Sequence, residues 1–142
     1  MPLRDATDVV FLDTIYYPAT QLLTIADALV QGDIAMAEDR HDDAIAHFQV
    51  AVDTQDELPY TEPPFWYYPT RHSLGRAQLA AGDAAAAEAT YRRDLEQYPH
   101  NGWAMFGLIQ ALEAQGKDAA DIQQMFDHTW SQADVELSAS TF

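Results

Sequence analysis

YPTRHSLGRAQLAAGDAAAAEATYRRDLEQYPHN, residues 68–101, is the stretch from which the fold is read. It places Leu74 beside Gly75, Gly82 at a turn, Ala87 and Tyr91 one helical turn apart, and Pro99 at its close. A helical run, a tight turn and a second helix with small and aromatic residues make one helix-turn-helix unit. The residue types have a physical reason. Small side chains such as Gly75 and Ala87 let two helices approach closely, while Tyr91 fills the space between neighbouring pairs.

Shifting this stretch by 34 residues carries Gly82 onto Gly116, Leu74 onto Leu108 and Tyr91 onto Met125. An earlier copy lies in DRHDDAIAHFQVAV (39–52), where Ala44, Phe48 and Ala51 stand as Ala87, Tyr91 and Asp94 do. Its first helix is expected to run from Leu22 to Glu38, with Gly32 in the slot of Gly75. The reading is an all-α superhelix of three antiparallel helix pairs, at about 18–54, 66–98 and 101–132, forming one domain over 1–142. Abundant alanine, with six Gly and seven Pro, favours helix packed on helix over sheet.

The first and second copies are separated by nine residues more than the repeat requires, and the surplus falls in the 55–69 insert, which contains DELPYTEPPFWYYP (56–69). Pro59, Pro63, Pro64 and Pro69 exclude helix there. Its aromatics, Tyr60, Phe65, Trp66, Tyr67 and Tyr68, either seal the gap between neighbouring pairs or line a ligand cleft. In the last helix, about Asp118 to Gln132, helical spacing puts Ile122, Met125, Phe126, Thr129 and Trp130 on one face. That face needs a cover, from the 133–142 tail through Val135, Leu137 and Phe142 or from a second copy of the chain.

These residues resemble the tetratricopeptide repeat family, whose pattern joins a Leu-Gly in the first helix to an Ala, an aromatic, an Ala and a closing Pro in the second. The middle copy follows it. Departures are Arg71 and Gln78 in slots usually large and apolar, Ile109 where a small residue is expected, and Asp121 in place of Ala. DELPYTEPPFWYYPTRHSLG (56–75), AGDAAAAEATYRRDLEQYPHNGWAMFGL (81–108) and ADVELSASTF (133–142) resemble the C-terminal part of long bacterial tetratricopeptide proteins. That resemblance implies a truncated relative or a piece of a longer chain, a scaffold or protein-binding role, and no chemical activity.

Twenty-three acidic residues against seven Lys plus Arg give a formal charge of −16, which repels phosphate backbones and anionic lipid, so neither nucleic acid nor membrane is an expected partner. No cysteine is present, which excludes disulfides and thiolate metal sites. The opening MPLRDATDVVFLDTIYY has only a four-residue apolar run, Val9 to Leu12, fitting neither signal peptide nor membrane span; a cytoplasmic location is the default. His41, His47, His72, His100 and His128 are scattered without the spacing of a metal pair, and no cofactor is expected. Asp42, Asp43, Asp83 and Glu88 read as helix-start carboxylates favoured by the dipole. No nucleophile elbow or phosphate loop occurs, so no catalytic residue is assigned and the chain is not expected to be an enzyme.

In tetratricopeptide proteins the first helix of each pair lines the concave face. Projecting those helices puts His72, Arg76 and Leu79 in the groove from the second pair, with Trp103, Phe106, Gln110 and Glu113 from the third and His100 and Asn101 at its edge. A cation beside an aromatic wall suits a carboxylate-bearing or aromatic peptide. The competing reading makes Trp103 and Phe106 core, with Arg71 paired to Glu62 or Asp94. The expected partner is a protein or peptide, or another part of the parent chain; the alternative is self-assembly into a homodimer.

Overall fold

The computed structural model describes residues 3–141, and among these every regular element is helical. A 3-10 turn at Leu3–Asp5 precedes α1 (Thr7–Thr14), α2 (Ala19–Ala37), α3 (His41–Asp56), α4 (Arg71–Ala80), α5 (Ala84–Gln97), α6 (Gly102–Ala114) and α7 (Ala120–Trp130). The expected all-α class of helix pairs forms as α2–α3, α4–α5 and α6–α7. Two details differ from expectation. The second pair begins at Arg71 rather than near 66, because Pro69 and its upstream prolines keep the chain out of helix. The apolar run at Val9–Leu12, too short for a membrane span, lies within an eight-residue helix, α1, that the sequence reading did not place.

One device turns the chain in all three pairs. Asp39, Gly82 and Gly116 sit in the left-handed region at φ of 57°, 82° and 67°. After each, the next backbone N–H reaches back five residues: Arg40 to Ala35 at 2.9 Å, Asp83 to Gln78 at 2.9 Å and Lys117 to Leu112 at 3.0 Å. The left-handed residue itself donates three residues back, to Met36, Leu79 and Glu113. This Schellman pattern satisfies carbonyls that the helix end would otherwise leave bare. Gly82 and Gly116 keep the 34-residue spacing, and Asp39 precedes Gly82 by that spacing plus the nine-residue surplus.

The described chain divides into two compact units between Thr70 and Arg71. In the first, Phe48 of α3 is fully buried and its ring lies where a Cβ on Gly32 of α2 would stand, 2.3 Å from that position. Ile25 and Leu29 of α2 and Ala44, Ala51 and Val52 of α3 are buried as well. The insert is anchored by Gln55, whose side chain accepts from the backbone N–H and hydroxyl of Thr70, both at 2.8 Å, and donates to the Tyr68 carbonyl at 2.9 Å. Asp13 at the end of α1 accepts from the Thr20 hydroxyl and, at 3.1 Å, from the Thr20 backbone N–H. Those bonds hold its carboxyl below the ordinary range and fasten α1 to the start of α2.

In the second unit Tyr91 of α5 is the fully buried centre, packed with Ala87, Ala104, Leu108, Ala111 and Leu112. Its ring tip is held between two first helices: a Cβ on Gly75 of α4 would lie 2.4 Å from Cζ, and one on Gly107 of α6 would lie 2.3 Å from it. Leu74 and Leu108, matched by the repeat, are both buried. Asp83 and Asn101 cap α5 and α6, accepting from the N–H groups of Ala86 at 2.9 Å and Ala104 at 3.2 Å.

α7 corrects the expected apolar face. Ile122, Phe126, Thr129 and Trp130 are partly buried, but Met125, the counterpart of Tyr91, is 47% exposed. Aromatics further along fill the third pair instead: Phe126 meets Phe106 at 5.9 Å between ring centres, and Trp130 meets Trp103 edge-on at 5.7 Å. Phe142 of the expected covering tail lies outside the described residues, and Val135 is 53% exposed.

Candidate functional site

The polar departures from the repeat pattern are matched pairs across α4 and α5. Where the first pair has Leu29 and Ala51, the second has His72 and Asp94, both buried, with His72 Nε2 and Asp94 Oδ2 at 3.1 Å. The second carboxylate oxygen of Asp94, Oδ1, has no hydrogen-bond partner among the described residues. Gln78, buried in an apolar slot, accepts from the Thr90 hydroxyl at 2.8 Å. Each buried polar group answered by a partner avoids the cost of leaving it bare. Arg71 is likewise buried, at the start of α4.

Tyr91 carries this layer to the opposite side of α4 and α6. Its ring passes between Gly75 and Gly107, and its hydroxyl meets the Ser140 hydroxyl at 2.6 Å. Ser140 Oγ also donates to the His72 carbonyl at 3.2 Å, and the residue is 1% exposed. Burial pushes the Tyr91 phenol up to about 12, against the opposing pull of the Ser140 hydrogen bond and the Arg76 charge. The segment that brings Ser140 here leaves α7 by a turn in which Ala133 N–H donates to the Trp130 carbonyl at 2.9 Å. Trp130 Nε1 then donates to the Val135 carbonyl at 2.7 Å.

Beside Ser140 a cleft of about 360 Å³ remains open. Arg76, Leu79 and Ala80 of α4 and Gln110 of α6 form its helical walls, and Ser138 to Ser140 form the facing one. Of the nine residues expected in the groove or at its edge, Arg76, Leu79 and Gln110 line this cleft. His72 is turned inward to Asp94, because a buried imidazole and a buried carboxylate satisfy each other better than either satisfies an open groove. Asn101 spends its side chain on the α6 cap. Trp103 and Phe106 contact the α7 aromatics, since the last pair gains more by burying four rings together than by exposing two. Sequence reasoning missed Tyr91 and Ser140 as site residues. The two glycines flanking Tyr91 in space were the available signal, but Gly107 falls off the 34-residue register, where Ile109 stands.

Two further expectations need correction or division. Glu88 is not a helix-start carboxylate: it lies in the second turn of α5 and accepts from Lys117 at 2.6 Å, Arg92 at 2.8 Å and Gln115 at 2.9 Å. Those partners, Lys117 foremost, lower its carboxyl to about 2. The insert aromatics divide. Trp66, Tyr67 and Tyr68 pack on one another, and Phe65, edge-on to Tyr17 at 5.6 Å, lines a cavity of about 520 Å³ with Tyr16, Pro18 and Pro59. No group of three or more His, Asp or Glu side chains able to hold a metal occurs among the described residues. The buried His72, Asp94 and Ser140 make no nucleophile pair, because Ser140 bonds the Tyr91 hydroxyl and a backbone carbonyl, and the His72 ring bonds Asp94.

Residues 72–127 match the family described as tetratricopeptide repeat. This part of the chain belongs to the tetratricopeptide repeat family. The match covers α4 through most of α7, the segment in which Tyr91 joins two first helices. Comparison with curated proteins and with solved structures found no match. Tetratricopeptide repeats generally mediate protein–protein interactions and are typically non-enzymatic. No helix among the described residues is long and apolar enough to cross a membrane.

Proposed function

We propose that this chain is a protein-interaction module without catalytic activity of its own, and that the repeat at 72–127 receives a peptide segment in the cleft between α4 and α6. The observation that carries the reading is the lining of that cleft. Arg76 supplies positive charge in a chain of net −16, Leu79 an apolar wall and Gln110 an amide able to pair with a peptide backbone. A chain segment can lie against these helices, as Ser138 to Ser140 do in a bend along the facing wall. The partner is a protein or peptide; the negative charge disfavours nucleic acid.

The experiment is selection of binding peptides from a random library on the whole chain, followed by titration against Arg76→Glu with Gln110→Arg. Loss of binding at least tenfold with unchanged helicity supports the cleft. Selected peptides that bind the double variant as well as the parent refute it. Trp103 is left intact because its ring packs on Trp130.

One observation favours self-association as a second reading. α1 buries none of its residues, and Val10, Phe11, Ile15 and Tyr16 in and after it are 47%, 60%, 55% and 94% exposed. Exposed apolar surface of that kind invites a second copy. A constant monomer mass by light scattering over a hundredfold dilution would reject it.

A further inference from the structure

We propose that the segment from Ala133 to Thr141 is a built-in occupant of the α4–α6 cleft, latched by Ser140 on Tyr91, and that a partner peptide enters only by displacing it. The inference rests on reading this cleft as a peptide site. It goes further by naming what holds the site closed and what chemistry opens it.

Four observations support it. Ser140 is 1% exposed although Ala133 to Glu136 before it are exposed, so the chain dives into the cleft at one point rather than draping over the surface. The point of entry is prepared from the other side. Gly75 and Gly107 have no side chains where Tyr91 passes, and through that gap its hydroxyl reaches Ser140 at 2.6 Å. In the first unit the same slot holds Phe48 against Gly32, which fills space equally well and has no hydroxyl. The phenol is therefore in excess of what packing requires. Finally, the fit is incomplete: Thr141 Oγ1 is buried with no hydrogen-bond partner among the described residues, and about 360 Å³ beside Ser138 to Ser140 stays open. A segment that leaves a buried hydroxyl unanswered is a displaceable ligand, because a competitor able to satisfy that position gains over it.

The chemistry of the competitor follows from the seat. It is a peptide with a hydroxyl side chain placed to meet Tyr91, the group that Ser140 presents there. A side chain that adds polar reach toward Arg76 or Gln110 would use the open part of the cleft. Because the resident segment is tethered, its effective concentration is high, and an untethered copy of the same sequence binds poorly to the intact chain.

The test uses the full chain and a fluorescent copy of residues 133–142, ADVELSASTF. Three chains are titrated: the parent, Ser140→Leu, which cannot seat, and Ser140→Leu with Tyr91→Phe. Amide hydrogen exchange over 133–141 reports whether the segment is released, and circular dichroism reports the fold. The expected result is release in Ser140→Leu, peptide binding at least tenfold tighter than to the parent, and loss of that gain when Tyr91 becomes Phe. If Ser140→Leu unfolds the chain, Ser140→Ala gives the same series with a smaller gain. Unchanged exchange in the Ser140 variants overturns the latch. Equal peptide binding to parent and variant overturns the occupant while leaving the cleft as a peptide site. Release without any peptide binding overturns both the occupant and the cleft reading beneath it.

Discussion

Tyr91 shows how much one side chain can decide. Its ring occupies the space vacated by two glycines, so an alanine at either position must push the ring or part the helices. Gly107→Ala is expected to cost about 1–3 kcal/mol in urea denaturation, the usual range for overpacking, and Gly75→Ala a similar amount. In a Tyr91→Leu background the cost of Gly107→Ala should shrink, because the obstructing ring is gone. The same residue sets the alkaline limit. With its folded pKa raised from 10.0 to about 12, the contribution of Tyr91 to stability is fully present below pH 10 and is lost as the pH rises toward 12. Glu88 acts with opposite sign. Its pKa is lowered from 4.5 to about 2, so its contribution is present above pH 4.5 and is lost as the pH falls through 2. Thermal melts across pH should show both edges, with the alkaline one flattened by Tyr91→Phe and the acid one by Glu88→Gln. A parent chain as stable at pH 11.5 as at pH 9 would contradict the Tyr91 assignment.

At the scale of elements, the three Schellman turns are the shared unit. Asp39 is the one non-glycine among them and carries the steric cost of the left-handed region, so Asp39→Gly should stabilise the chain by up to about 1 kcal/mol. Gly82→Ala should destabilise it by about 1 kcal/mol, a pure backbone effect, since a Cβ there would meet nothing within 4 Å. In α7 the exposed Met125 should accept Lys with a change inside about 0.5 kcal/mol. Phe126→Ala, which removes a ring from the aromatic cluster, should cost about 2 kcal/mol or more. These elements also show what the sequence discloses. Gly82, Gly116, Leu74 and Leu108 were legible, because turn and core impose residue types at fixed spacing. The Asp39 turn was hidden, since aspartate tolerates the left-handed region without advertising it. Met125 misled because register was kept in the sequence while α7 supplied its bulk from Phe126 and Trp130 instead.

For the molecule as a whole, the repeat at 72–127 carries the recognised architecture, and what is particular to this protein lies in how the repeat is elaborated. Arg76, Leu79 and Gln110, projected from the first helices, line one cleft, whereas the inward turn of His72 depends on Asp94, 22 residues away, and the seat of Ser140 depends on Tyr91, 49 residues away. Pairings over such separations leave no periodic trace in one sequence. They also hold the central claim, that Tyr91 passes between Gly75 and Gly107 and seats Ser140 in the cleft. Nuclear Overhauser contacts from the Tyr91 ring protons of the full chain test it directly. Cross-peaks to the α-protons of Gly75 and Gly107 and to the β-protons of Ser140 are predicted. Glycine contacts without any to Ser140, with sharp random-coil signals from 133–141, would contradict it.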